Sequence, residues 1–468
     1  METRKEFLKK LMFGGAAVAA GAALGDEFIE TDELLPPESC GDPANVAFGR
    51  HIFPLEPTVP DGPSCFLKDG KVVEPAKEIP VFHKTDVVVV GGGPAGFAAA
   101  IGAARAGAKV ALVERYGSLG GLFTNGMVLI MLSTSRREES GKWTLVTRGA
   151  CEEFMVRAGK YGKNFSNPPD STLPDQMWQP TVDPEWAKVL MDEMAAEAGV
   201  ETFFHSWGVD VIQEGNAVRG VVFESKEGRQ AVLAREVVDC TGDADMLFKA
   251  GGGYSQVTAP ISTVFRWANM DTINPPQPQD ATFEFPERGN EGNPDARWIH
   301  CGIETGNGLS VRDLSRLEVE MRRRNWERVV KMRSTPGWEN VYTSNSASQI
   351  GVRMSRLVDT EFIIGRDEIH RGLDFEDVIG WCGHDQAHAA FPVCYRQILP
   401  KKIDNLLCAG RCLGKGDTID TFRLICPCFV TGQAAGIAAA LAAKKGVSPR
   451  SLAYRALREE LIRQNVYL

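Results

Sequence analysis

The eleven cysteines of this chain include no C-x-x-C pair and no C-x-x-C-H motif. The first absence removes the spacing of a zinc or iron–sulfur cluster, and the second excludes a c-type haem on this chain. No metal site is expected. A basic excess is missing too: 52 Lys and Arg face 61 Asp and Glu, for a net charge of −9. Nucleic acid is therefore excluded as a partner. No apolar run reads as long enough to span a membrane, since the uncharged stretch from Leu11 to Leu24 is short and mostly Ala and Gly.

What is present is an ordinary globular composition, 43% hydrophobic and 24% charged. The length suits two or three domains of roughly 150 residues each. Residues 1–25 have the build of an export signal, with Arg4, Lys5, Lys9 and Lys10 ahead of the Ala- and Gly-rich run. Thr3-Arg4-Lys5-Glu6-Phe7-Leu8-Lys9 resembles the twin-arginine motif S/T-R-R-x-F-L-K, with Lys5 in place of the second arginine. Both Ala17-Val18-Ala19 and Ala20-Gly21-Ala22 fit a cleavage site. The expected location is the periplasm or cell surface of a bacterium. After export Cys40 and Cys65 are free to pair, whereas Cys151, Cys240, Cys301, Cys382, Cys394, Cys408, Cys412, Cys426 and Cys428 read as small buried residues. Residues 26–85 hold nine prolines and read as an extended arm.

The chemistry begins at Asp86-Val87-Val88-Val89-Val90-Gly91-Gly92-Gly93-Pro94-Ala95-Gly96. Four β-branched residues run into a turn whose Gly91, Gly93 and Gly96 have G-x-G-x-x-G spacing, followed by an alanine-rich helix and a second strand, Lys109–Val113. The first glycine permits the turn, the second lets backbone approach a pyrophosphate, and the third lets helix pack on strand. The helix N-terminus, opening at Pro94 and Ala95, then holds the anion with backbone amides. Glu114 stands where such a unit accepts a hydrogen bond from a ribose 2′-hydroxyl, which disfavours NADP and leaves NAD or FAD. A second glycine-rich turn, Arg115 to Gly126, contains Gly120, Gly121 and Leu122.

Helices are expected over Gly149–Ala158 and Pro184–Ala198. Strand patterns follow at Glu201–His205, Val209–Gln213, Ala217–Glu224, Gln230–Leu233 and Glu236–Asp239, the three from Val209 to Leu233 forming a meander. The last strand breaks at Cys240-Thr241-Gly242-Asp243.

With these residues in view, the chain resembles the FAD-dependent oxidoreductases of the glutathione-reductase-like superfamily. It is most similar to the subfamily reading D-V-V-V-V-G-G-G-P-A-G, L-G-G, D-A-T-G-D and N-L-L-x-A-G-R-C, with Cys240 replacing the usual alanine. The match continues through Gly351–Arg356, Asn405–Cys412 and Thr431–Gly436. The resemblance implies an α/β fold: a Rossmann-type FAD-binding domain, βαβ with a three-stranded β meander, carrying an inserted α+β substrate domain. The expected boundaries are 86–249 and 401–468 for the two parts of the FAD-binding domain and 250–400 for the substrate or cap domain. FAD is implied as cofactor, held by the two glycine turns, Glu114, Arg115, Thr241, Gly242, Asp243, Gly410, Arg411, Arg423, Gly432 and Ala435. A helix starting around Pro427 would aim its dipole at the flavin and stabilise the reduced form. An ion pair inside the fold is the alternative reading for Arg411 and Arg423.

The cap contains a charged helix over Arg312–Arg333, and Trp267, Trp298, Trp326 and Trp338 read as its core. No second G-x-G-x-x-G follows a strand, so electrons are expected to pass through the substrate and an external acceptor or donor rather than a nicotinamide domain. Flavin hydride chemistry needs a proton carrier and a cation for a polar substrate. His388 is the first candidate for the proton and His384 the second, each reading equally as a structural loop histidine. Arg353 and Arg356, three apart, suit a carboxylate or hydroxyl-rich ligand or an inter-domain ion pair, and Arg396 follows in a Y-R pair. The resulting expectation is hydride transfer between flavin N5 and a small polar metabolite, such as a sugar, hydroxy acid or unsaturated acid. Alternatives are a fumarate-reductase-like enzyme fed by a separate haem protein and a flavoprotein without redox turnover.

Overall fold

The computed structural model describes residues 64–160, 180–272, 296–300, 302–371, 373, 375–383, 390–414 and 418–468. It divides into two units at Ile79 and Pro80. The described part of the first unit is a short exposed hairpin, β1 (Phe66–Lys68) and β2 (Lys71–Val73).

The second unit is built on strand β3 (Val81–Val90), which starts inside the segment expected to be an arm. Val87, Val88 and Val89 have no exposed surface, because the strand lies mid-sheet with both faces covered. Helix α1 (Pro94–Arg105) returns the chain to β4 (Val110–Val113), parallel to β3. A small hairpin follows, β5 (Ser135–Arg137) and β6 (Trp143–Leu145), then α2 (Ala150–Gly159) and α3 (Pro184–Glu197). Asp183 caps α3 by accepting from the amides of Glu185 and Trp186.

Strand β7 (Glu201–Phe203) extends the parallel sheet beyond β4. The meander then runs antiparallel through β8 (Trp207–Glu214), β9 (Ala217–Ser225) and β10 (Gly228–Asp239). The expected pair of strands at 230–233 and 236–239 is thus one continuous strand. Its first half pairs antiparallel with β9, and its last three residues pair parallel with β21 (Leu406–Cys408). Its other edge pairs parallel with β3 over most of its length. The short helix α4 (Asp245–Lys249) closes this half.

The cap is a set of small sheets against one long helix. Strand β11 (Tyr254–Gln256) pairs with β18 (Arg356–Val358), and β12 (Ala259–Ser262) lies between β15 (Glu304–Gly306) and β17 (Gly351–Val352). Strand β13 (Val264–Ala268) lies between β14 (Ala296–His300) and β16 (Tyr342–Ser346). Helix α5 (Val311–Arg333) buries Leu317, Met321, Val329 and Met332 against them. Trp267 and Trp338 belong to this core, as expected; Trp326 is instead 67% exposed and Trp298 lies at a cavity. This core draws only on Ile261–Val352. Val358, Ile369, Ile379, Cys382, Phe391 and Leu399, expected in the cap, pack into the main core, on a stretch that includes α6 (Arg366–Arg371), β19 (Val378–Gly383) and β20 (Ala390–Cys394).

After β21 come α7 (Ile419–Phe422), α8 (Ile425–Lys445) and α9 (Tyr454–Arg463). Helix α8 revises one expectation, since an 18-residue window within it has a mean hydropathy of 1.6 and is long enough to cross a membrane. That window is 94% buried inside the fold. Helix α8 packs on α1 at backbone contact distance: a Cβ on Gly432 would overlap the Ala95 carbonyl, and one on Gly436 the Ala99 carbonyl.

Candidate functional site

The C-terminal end of β3 meets the N-terminus of α1 in the first glycine turn. A Cβ on Gly96 would overlap the Gly91 carbonyl, so glycine is needed there for packing. Gly93 differs. It is the N-cap of α1, its φ of −64° suits any residue, and a Cβ there would meet nothing within 4 Å. That empty space is the cavity, which Gly93 lines. No side chain caps α1, and Pro94 opens it, so its N-terminal amides are presented to a ligand.

The second glycine turn is tied to the first, since Gly120 N donates to Gly92 O at 2.8 Å. Glu114 is 4% exposed; its Oε2 accepts from Gly92 N at 2.5 Å and its Oε1 from Tyr116 N at 2.8 Å. Burial raises its carboxyl above the ordinary value, and these amides oppose that. Glu114 therefore braces the loop as well as lining the cavity.

At the end of β10, fully buried Asp239 organises the third turn. Its Oδ1 accepts from Thr241 N at 3.1 Å and Thr241 Oγ1 at 2.7 Å, and its Oδ2 accepts from Leu247 N at 2.9 Å. Burial nevertheless pushes its carboxyl up to about 6. Asp243 receives Arg411 Nη2 at 2.8 Å. Arg411 lines the cavity, and its Nη1 is buried without a partner among the described residues. The N-terminus of α8 begins at Ile425, two residues before Pro427; it has no side-chain cap, and Leu424, Ile425 and Cys428 line the same cavity.

These elements enclose a cavity of about 690 Å³. Of the residues expected at the site, it is lined by Gly91, Gly93, Pro94, Ala95, Glu114, Arg115, Gly121, Leu122, Thr241, Gly242, Arg353, Gly410, Arg411 and Arg423. Gly96 and Gly120 stand behind it in the turns, and Asp243 stands behind Arg411. Gly432 and fully buried Ala435 serve the interior of α8 rather than the cavity wall. Arg423 lines the cavity while its Nε donates to Asp420 at 2.9 Å.

Arg353 and Arg356 are not brought together as a substrate pair. Arg356 Nη1 donates to Asp245 Oδ1 at 2.7 Å and to the Asp243 carbonyl at 2.9 Å, and its guanidinium lies 4.2 Å from the Phe248 ring centre. It fixes the turn after β10. Arg396 is bound to Asp377 by two contacts, 2.9 and 3.1 Å, outside the cavity lining. His384 and His388 lie outside the described residues. The cavity wall also includes Trp298, His300 and Gln349, which the sequence reading missed as site residues. Trp298 and His300 are two apart on β14, so one face of the strand presents both.

A parallel βαβ unit whose two glycine turns and two uncapped helix N-termini converge on one elongated cavity defines a dinucleotide-binding flavoprotein. The chain belongs to the FAD dependent oxidoreductase family, whose model matches residues 86–461. The cradle at Gly93, Glu114 and Arg411 fits FAD as the cofactor. Over 46 residues it is 59% identical to dihydrolipoyl dehydrogenase of Trypanosoma brucei brucei, covering 10% of each chain. Over 176 residues it is 31% identical to digeranylgeranylglycerophospholipid reductase 2 of Methanopyrus kandleri, covering 36% of this chain and 40% of that one. The chain thus spans well under half the length of these curated relatives. A geranylgeranyl bacteriochlorophyll reductase-like protein from Thermoplasma acidophilum aligns in structure with a TM-score of 0.42 and 16% identity, over 82% of this chain and 84% of that one.

Proposed function

We propose that the protein transfers a hydride between flavin N5 and a small polar metabolite, without a nicotinamide domain of its own. The observation that carries this reading is the continuity of the cavity, from the glycine turns and Arg411 to a cap wall bearing Trp298, His300, Gln349 and Arg353. Cofactor and substrate would occupy its two ends.

FAD, when bound, supplies a two-electron acceptor or donor. The N-terminal amides of α1 would hold its pyrophosphate, and Arg411 with the N-terminus of α8 would offset negative charge on the ring when reduced. Arg353 orients an anionic or hydroxylated substrate. His300, the one histidine among the described lining residues, is placed to carry the proton that accompanies the hydride. In oxidation, a C–H bond breaks with both electrons leaving as hydride, an O–H bond gives up its proton, and a C=O bond forms. An external quinone or redox protein then removes the two electrons.

Anaerobic visible spectra of the purified holoprotein test this reading with panels of sugars and carboxylic acids. One class should bleach the flavin band near ~450 nm or recolour a pre-reduced sample. Absence of electron exchange in either direction would remove the hydride reading. We further propose that residues 1–25 direct export, on the basis of their basic start and small-residue run; recovery of the uncleaved chain in the cytoplasm alone would overturn it.

A further inference from the structure

The outward face of α5 joins an apolar stripe to unpaired cations. Val319, Trp326 and Val330 are 63%, 67% and 50% exposed, and spacings of seven and four residues set them in one line along the helix. Exposed Arg312, Arg316, Arg322, Arg323 and Arg333 each stand three or four residues from a member of that line or from one another, so the same face carries them. The opposite stripe, Leu317, Met321, Val329 and Met332, is the one already packed into the cap core. Helix α5 also backs the cavity wall, since Arg328 Nη1 donates to the His300 carbonyl at 3.1 Å.

The helix carries eight Lys or Arg against four Asp or Glu, in a chain whose net charge is −9. All four acids are engaged. Asp313 Oδ2 accepts from Asn307 N at 3.1 Å, Glu318 from Arg322 at 2.7 Å, Glu320 from Arg324 at 2.7 Å, and Glu327 from Arg323. Arg312, Arg316, Lys331 and Arg333 have no ion-pair partner among the described residues. Two of these cations stand before the apolar line and two after it, on a helix about 35 Å long.

Charge decides what covers this face. A second copy is opposed: two such helices laid together, whichever way they run, set free cations against free cations at both ends. The face is a convex ridge, which a protein partner would have to receive in an acidic groove of matching length. An anionic bilayer needs no groove. We propose that α5 is a docking helix that lies flat on a membrane rich in anionic phospholipid. Trp326, Val319 and Val330 enter the boundary between headgroups and acyl chains, where tryptophan partitions well, and Arg312, Arg316, Lys331 and Arg333 meet lipid phosphates. Only the surface is engaged; no part of α5 crosses the bilayer.

The test is co-sedimentation of the full-chain holoprotein with phosphatidylcholine vesicles and with vesicles in which about a third of that lipid is replaced by phosphatidylglycerol. Binding to the anionic vesicles should be at least ~10-fold tighter, and that advantage should vanish at ~1 M salt, where charges are screened within about 3 Å. Arg316→Glu combined with Arg333→Glu should weaken anionic binding at least ~10-fold, and Trp326→Ser by about fivefold, with flavin content and melting temperature as in wild type. Lys226→Glu combined with Arg455→Glu makes the same charge change at exposed positions off the helix and should leave binding within about twofold of wild type. Equal binding to the two vesicles, α5 variants that bind like wild type, or a control pair that weakens binding as much as the α5 pair would each overturn the assignment. Failure to bind either vesicle would overturn it too and give the face to a protein partner. None of these outcomes touches the hydride reading.

Discussion

Arg411, which lines the cavity, is bound to Asp243 through one terminal nitrogen, Nη2 to Oδ2 at 2.8 Å, while its other terminal nitrogen is buried without a partner among the described residues. An ion pair that existed only to close the fold would leave no such valence. The arrangement holds a cation in place beside the cavity. Arg411→Met should lower the flavin reduction potential by roughly 30–60 mV, which corresponds to about 1.4–3 kcal/mol for a two-electron couple. Dye-equilibration potentiometry on wild type and variant checks this. An unchanged potential would restrict Arg411 to bracing the turn.

Two glycines of the first turn should fail in different ways. A side chain at Gly93 enters open cavity space from an ordinary backbone conformation, so Gly93→Val should give a soluble protein with near wild-type melting temperature and little or no flavin. Gly96→Ala places a methyl on the Gly91 carbonyl and should destabilise the fold by about 1–3 kcal/mol. Flavin-to-protein ratio and thermal melts, measured on both, separate the two effects. A fully yellow Gly93→Val protein would contradict the placement of the cofactor.

The helix contact behind the site makes a third case. Gly436 meets the Ala99 carbonyl with no room for a methyl, far along α8 from its cavity end. Gly436→Ala should push α8 away from α1 and cost about 1–3 kcal/mol. Added FAD should raise the melting temperature of this variant, because its cradle remains present. The melting temperature with and without FAD is the measurement.

Stability should depend on pH through Glu236. This side chain is 1% exposed in β10; its Oε1 accepts from Asn405 Nδ2 at 2.8 Å, and its Oε2 has no partner among the described residues. Burial pushes its carboxyl up to about 8 from an ordinary 4.5. The native state therefore keeps a proton that the unfolded state releases, so this contribution is complete below about 4.5 and is lost as pH rises to about 8. Its size is on the order of a few kcal/mol. Glu236→Gln should flatten the profile and melt above wild type at pH 9. Parallel melting curves at pH 5 and 9 would expose an error here if the two proteins lost stability equally.

The glycine turn, its strand and its helix were legible because their constraints act within a dozen residues. Glu114 was legible for the same reason, although its grip on Gly92 was not. The break expected between Leu233 and Glu236 failed because Ala234 and Arg235 continue the strand, where Asn405, far along the chain, donates to Glu236 Oε1. Arg356 looked like a partner for Arg353, but Asp245 and the Asp243 carbonyl claim it. Trp298 read as core because its position on the wall is set by pairing with Arg266 across a sheet. Strand alternation would have put His300 on the same face, the one local clue to that wall.

One edge of strand β10 is held by β3; the other is completed by β9, its neighbour in sequence, and at its last three residues by β21, which the ribosome makes much later. A growing chain that has passed Asp239 therefore carries a central strand whose last three residues are open on one edge, and no α8 to cover α1. It has the first glycine turn but neither Arg411 nor the second uncapped helix. Flavin loading is in consequence a late event in the life of each molecule, and a chain cut short before α8 would be colourless and prone to edge-to-edge aggregation.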